Sequence, residues 1–302
     1  MEPRTIDLDG LVHYADFGGS GPPIVLVHGL GGSHVNWLPV GPGLAALGRV
    51  VAVDLAGHGR TRSRAADERP GLPAQTASVE DNQVLLGRFL DAVAKGPATL
   101  IGNSMGGYLS IATAAAWPSK VSSLVLVDPA VPAAPGMKIN PKVLALFAGM
   151  MTPFLGEALM RRRARMGAEK AVRDLLALCT VDVGRISPEV FEAHVAISRE
   201  RSGYTPAVLH DFLAAQRSLV RALVQRGRFG RIVASVRAPA LIVQGAQDRL
   251  VHVDAARGLA KLRPDWQLEI LDGVGHVPQL EVPDRFLALV LPWLRARSIA
   301  AA

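Results

Sequence analysis

The 302-residue chain has one cysteine, Cys179, so it holds no internal disulfide and is not a stapled secreted scaffold. The same scarcity excludes a cysteine-built zinc site and makes a cytoplasmic location the expectation. No apolar run approaches the roughly 18 residues of a membrane span. The polar stretch Met1–Gly10 carries no signal-peptide core. None of the glycine loops has a Rossmann or Walker pattern, and no histidine–carboxylate group has metal-ligand spacing along the chain. No cofactor and no metal are therefore expected. Lysine is also scarce, 6 residues against 27 arginines.

The charge that is present is unevenly placed. The formal net charge is +7, and residues 131–230 hold 15 bases and 8 acids, which accounts for all of it. A uniformly basic nucleic-acid binder would not confine its excess to one segment, so no nucleic-acid partner is expected. With 49% hydrophobic residues the chain is too apolar for disorder and long enough for a large core.

Residues 4–8 and 11–16 read as a hairpin turning at Asp9-Gly10. Apolar runs at 24–27, 50–53, 99–101 and 121–127 fit strands buried on both faces of a parallel sheet. A helical pattern covers 76–94, with Ser78 placed to cap it. Residues 131–230 carry no strand pattern and read as helices broken by Pro132, Pro135, Pro141, Pro153, Pro188 and Pro206. Alternation resumes with a strand at 240–243, a helix at 253–262, a strand at 267–271 and a helix at 283–296.

Gly102-Asn103-Ser104-Met105-Gly106 lies between a predicted strand and a predicted helix. A sharp strand-to-helix turn exposes its central side chain and needs small neighbours two positions away on each side. The Met105 N–H, at the helix start, points where an oxyanion forms. On these residues the chain resembles the α/β-hydrolase superfamily, from the hairpin to the last helix. The resemblance implies a mostly parallel sheet as core (1–130 and 231–302) and a helical cap inserted at 131–230. It also implies a serine-nucleophile esterase or lipase-like enzyme.

The hydroxyl of Ser104 needs a base. His276, in Gly273-Val274-Gly275-His276-Val277-Pro278 after the last strand, stands where the family carries it. His28, His58 and His252 compete; His28 and His58 read as turn-organising residues, and His13, His34, His194 and His210 lack matching context. Asp248, after the strand at 240–243, is the acid expected to orient His276, with Asp128 as its rival. By resemblance Leu30, after His28-Gly29, supplies the second oxyanion N–H beside Met105. Asp54 and its following loop resemble a family segment whose role is mostly structural. Family members that use an aspartate nucleophile, haloalkane dehalogenases and most epoxide hydrolases, do not fit Ser104.

In the middle segment, Val143–Met151 is apolar almost all round, Arg161–Arg165 is basic, and five of the seven methionines fall between 137 and 166. Adaptable methionines suit a pocket for flexible apolar chains. Phe147, Met150 and Met151 are candidate pocket residues, and Trp37, near the oxyanion loop, is another. The same stretch also fits a cap helix docked on the body, or docking on an anionic membrane surface. Cys179 reads as a buried cap residue. The expected substrate is a small hydrophobic ester. Thioester, lactone, perhydrolysis and carbon–carbon cleavage of ring-fission products stay open on the same residues, as does a ligand-binding protein with poor turnover. Against carbon–carbon cleavage, the His28 loop lacks the Gly-Pro-Gly version associated with those enzymes.

Overall fold

The structure, a computed structural model, describes residues 1–64, 68, 74–133, 141–202 and 205–300. Pro135 and Met137 lie outside them.

Eight strands form one sheet: β1 (Glu2–Asp7), β2 (Leu11–Gly18), β3 (Pro23–Val27), β4 (Arg49–Val53), β5 (Ala98–Asn103), β6 (Val121–Val127), β7 (Ala240–Gly245) and β8 (Gln267–Leu271). Their spatial order is β1-β2-β4-β3-β5-β6-β7-β8. β1 and β2 are antiparallel to their neighbours, and β3 through β8 run parallel. All six residues of β5 and of β7 are buried, as continuous apolar runs in a two-sided parallel sheet require. The hairpin differs from its expectation. Asp7 pairs with Leu11, so the loop has three residues, Leu8, Asp9 and Gly10, rather than two. Leu8 turns inward to bury its side chain, and Asp9 takes the left-handed conformation at φ 64°.

Two short helices punctuate the first half: α1 (Gly41–Leu44), and α2 (Val79–Phe89), where Ser78 Oγ accepts the Asp81 N–H at 3.1 Å. α3 (Met105–Ala116) leaves β5 directly. Between β6 and β7 the described residues are all helical or irregular: α4 (Pro141–Met151), α5 (Leu155–Ala164), α6 (Ala168–Cys179), α7 (Pro188–Ser202), α8 (Thr205–Val224) and α9 (Arg226–Ser235). Proline opens α4 and α7 and separates α4 from α5, as its missing donor dictates. α8 and α9 pack on the sheet side: Ala215, Leu219, Phe229 and Val233 share one core with Leu100, Leu109 and Leu124. Position 230, the expected end of the insertion, lies inside α9. α10 (Val253–Leu262), α11 (Pro278–Glu281) and α12 (Pro283–Ala300) complete the chain. Among the described residues no single helix is long and apolar enough to cross a membrane.

β4 lies on one side of β3 and β5 on the other. A parallel sheet that reverses its order in this way opens a crevice at the carboxyl ends of those strands. The loops after β3 and β5, which carry His28 and Ser104, meet there.

Candidate active site

Ser104 sits at φ 55° and ψ −117°, a conformation L residues rarely adopt. The turn around it is crowded. A Cβ on Gly102 would lie 2.4 Å from the Gly106 carbonyl oxygen, and one on Gly106 would lie 2.1 Å from that of Val27. Only glycine fits at either position. Ser104 is held through its backbone: its N–H donates to Val127 O at 2.9 Å, and its carbonyl accepts from Ala130 N at 2.9 Å. Met105 is the first residue of α3, so its N–H has no acceptor within the helix.

The loop after β3 approaches from the opposite side, and a Cβ on Gly29 would lie 3.0 Å from Ser104 Cβ. His28 is fully buried. Its Nδ1 lies 2.8 Å from Gly29 O, and its Nε2 accepts the Leu55 N–H at 3.1 Å. An Nε2 that accepts leaves the proton on Nδ1, and burial lowers the ring's pKa to about 4, so it stays neutral. The ring thereby holds the Gly29 carbonyl. Gly32 N donates to the same oxygen at 3.0 Å, and because the N–H of a trans peptide points opposite to its C=O, these two bonds aim the Leu30 N–H the other way.

His276 Nδ1 lies 2.6 Å from Asp248 Oδ2. Asp248 Oδ1 accepts the N–H groups of Leu250 at 2.7 Å and Val251 at 3.0 Å, which fixes the carboxylate. Nδ1 donation leaves Nε2 as the ring's acceptor. Ser104, Asp248 and His276 border one cavity of about 1260 Å³, with Leu30 beside them.

Asp128 also comes to this place. It is buried, and Gln244 Nε2 and Gly245 N both donate to its Oδ1 at 2.8 Å. The His276 ring receives Asp248, not Asp128. Burial, reinforced by the charge of Asp248, pushes the Asp128 carboxyl well above the ordinary 3.8.

The rest of the site was not legible from spacing. Asn103 Nδ2 donates to His276 O at 3.0 Å and to Val127 O at 3.1 Å. Glu281, five positions after His276, is buried. Its Oε2 accepts Gly275 N at 2.7 Å, and its Oε1 accepts Val181 N at 2.9 Å and Arg185 Nη1 at 3.2 Å. His276 N donates to Cys179 O at 2.6 Å. Asn103 stood inside the serine motif, but nothing in the sequence pairs residues 179–185 with 275–281.

Two histidine–carboxylate groups are compact in space: Asp128, Asp248 and His276, already brought together by the sequence, and His13, His34 and Asp54, which sequence spacing did not reveal. In the second, Asp54 accepts from His13 Nδ1 at 2.9 Å, His34 Nδ1 at 3.0 Å, His34 N at 2.6 Å and Arg60 N at 2.9 Å. Burial opposes its charge, but the hydrogen bonds from His13 and His34 outweigh burial and hold the carboxyl well below its usual range. His58 is likewise buried, bonded through Nδ1 to Ala56 O, and depressed to about 3.

Of the candidate pocket residues, Phe147 and Met150 line the cavity. Trp37 does not: it is 0% exposed in the core with Leu26, Leu44 and Phe286. Met151 does not either. Val143, Leu144, Phe147 and Met150 line the cavity from α4, and Met151 is the last residue of that helix. The Cys179 thiol is pushed up to about 12 by burial and is no nucleophile at neutral pH.

The family model described as alpha/beta hydrolase fold matches residues 22–283. A 2-hydroxy-6-oxononadienedioate/2-hydroxy-6-oxononatrienedioate hydrolase of Dechloromonas aromatica is 29% identical, over 95% of this chain and 92% of its own. The solved meta-cleavage product hydrolase from Pseudomonas fluorescens superposes with TM-score 0.70 at 23% identity, covering 97% of each chain. A thermophilic esterase from Thermogutta terrifontis superposes with TM-score 0.68 at 22% identity, covering 98% of this chain and 99% of its own.

Proposed function

Because the chain belongs to the α/β-hydrolase fold family, we propose that it hydrolyses a carboxylic ester of a hydrophobic substrate through Ser104, His276 and Asp248. Ser104 Oγ attacks the ester carbonyl as His276 Nε2 takes its proton. Asp248 keeps the ring in the required tautomer and stabilises the imidazolium. The Leu30 and Met105 N–H groups receive the oxyanion. His276 returns the proton to the leaving alcohol, and water, activated by the same base, releases the acid and restores Ser104. α4 to α7 act as the cap, with Phe147 and Met150 on the acyl pocket wall. The observation that supports this reading is the 2.6 Å contact of His276 with Asp248 on a cavity shared with the strained Ser104 turn.

A fluorophosphonate probe applied to the wild type and Ser104→Ala, followed by esters of graded chain length, tests it. Labelling and turnover should both vanish in Ser104→Ala. Labelling that persists overturns the nucleophile assignment. Labelling of wild type without turnover of any ester favours another substrate class or a binding protein.

The whole-length similarity to the dienedioate hydrolase supports a second reading, carbon–carbon cleavage beside a ketone by the same residues. Turnover of a 2-hydroxy-6-oxo dienoate, faster than of any ester, selects that reading.

A further inference from the structure

The cavity that holds Ser104 is mostly apolar, yet three arginines border it: Arg163, Arg226 and Arg249. Among the described residues one acid borders it, Asp248, and that carboxylate is engaged by His276. Arg163 is the inner of the three. Arg226 and Arg249 are exposed, whereas Arg163 lies one turn after buried Met160 on the inward face of α5.

Among the described residues its guanidinium has one protein hydrogen bond, from Nη2 to Ala171 O at 2.8 Å. That uses one of its five N–H donors. Among the described residues no carboxylate stands within ion-pair distance of it. Asp174 acts on it only from further away and is itself paired with Lys170 at 3.1 Å. Cys179 shares the same wall, but its thiol is pushed up to about 12 and brings no negative charge. Burial lowers the pKa of Arg163, the mark of a cation short of a counter-ion. A guanidinium left in this state, tethered by one backbone bond, keeps N–H donors for a planar anion.

We propose that Arg163 is an anion anchor and that the preferred substrate is an ester whose apolar chain ends in a carboxylate. The apolar wall takes the chain, Ser104 takes the ester carbonyl, and the Arg163 fork takes the terminal carboxylate. The inference names the substrate class of the site proposed above and rests on that reading for its turnover arm only.

Two matched substrates test it: p-nitrophenyl hexanoate, which is neutral, and mono-p-nitrophenyl adipate, of equal chain length and negatively charged. In the wild type the anionic ester should be favoured by about tenfold or more in kcat/KM. In Arg163→Met that ratio should fall to one or below, with Arg163→Lys between, because lysine keeps the charge and loses the fork. Arg173→Met, on the exposed side of α6, is the control and should keep the wild-type ratio. A ratio that survives Arg163→Met, or a wild type that prefers the neutral ester, overturns the anchor.

The second arm needs no chemistry. Monomethyl adipate is titrated calorimetrically into Ser104→Ala and into Ser104→Ala/Arg163→Met. The anchor predicts at least about tenfold weaker binding in the double variant. Equal binding by the two proteins overturns it. If neither ester turns over but Arg163 still governs binding, the hydrolase reading fails and the anchor stands. If both esters turn over with no dependence on Arg163, the reverse holds.

Discussion

Asn103 donates a side-chain hydrogen bond to the backbone carbonyl of His276 at 3.0 Å, so the residue before the proposed nucleophile holds the loop that carries its base. The second N–H of the same amide goes to Val127 O, so the clamp is anchored in the sheet. Asn103→Ala should remove both bonds and leave the His276 carbonyl unpaired, while Val127 O keeps the Ser104 N–H. We expect a loss of about 1–3 kcal/mol in stability and a fall in kcat of about tenfold or more. Ester kinetics with a urea melt check this; an unchanged kcat would show that the loop keeps its position without the clamp.

Asp128 gives a pH signature. Its folded-state pKa lies above its ordinary 3.8, so the native protein binds its proton more tightly than the unfolded chain does. The stabilisation is complete below 3.8 and is lost as pH rises toward the folded value, at up to about 1.4 kcal/mol per pH unit. Asp128→Asn keeps an oxygen for Gln244 and Gly245 and does not titrate. The variant should therefore gain stability relative to the wild type as pH rises from 4 through that window, measured by urea titration at several pH values. A constant difference across the series would sink the idea.

The histidines act in the opposite direction. His28 and His58 are held at about 4 and about 3 against an ordinary 6.5. Both are neutral when folded and take up protons on unfolding, so their contribution is present above 6.5 and is lost as pH falls toward those values. The slope approaches about 1.4 kcal/mol per pH unit for each. His58→Gln should flatten the acid limb of a stability–pH curve, and a limb as steep as that of the wild type would count against this assignment.

Backbone crowding sets a further contrast. Gly106→Ala should cost more than about 3 kcal/mol or prevent folding, since its Cβ would meet Val27 O at 2.1 Å. Gly96→Ala, where nothing lies within 4 Å of the new Cβ, should fall within about 1 kcal/mol of the wild type. Thermal melts of the two variants compare them directly.

Much of the framework was legible because period and punctuation report it locally. Continuous β-branched runs marked β3 to β7, Ser78 marked the start of α2, and the glycines around Ser104 marked a turn that is crowded in the fold. The acid facing His276 was also readable as Asp248 from its place after β7. What escaped depends on long-range placement. Trp37 stood near the oxyanion loop in sequence, but the hydrophobic effect drew its large ring into the core instead. Met151 shared an apolar run with Met150, but it ends α4, and no local pattern tells the two apart. Glu281 and residues 179–185 touch across about a hundred positions, a pairing that no local pattern encodes.

The bonds around His276 also bear on how the insertion can be exchanged. His276 N–H ends on Cys179 O, and Glu281 joins Gly275 to Val181 and Arg185. The stretch 179–185 thus supports the His276 loop although it lies among the helices between β6 and β7. A chimera that swaps the helices as a block would carry away part of the cradle of His276, whereas one whose breakpoints spare that stretch would not. An exchange of α4 and α5 should therefore leave the His276 loop in place, whereas one that replaces the last turn of α6 and the segment after it should not.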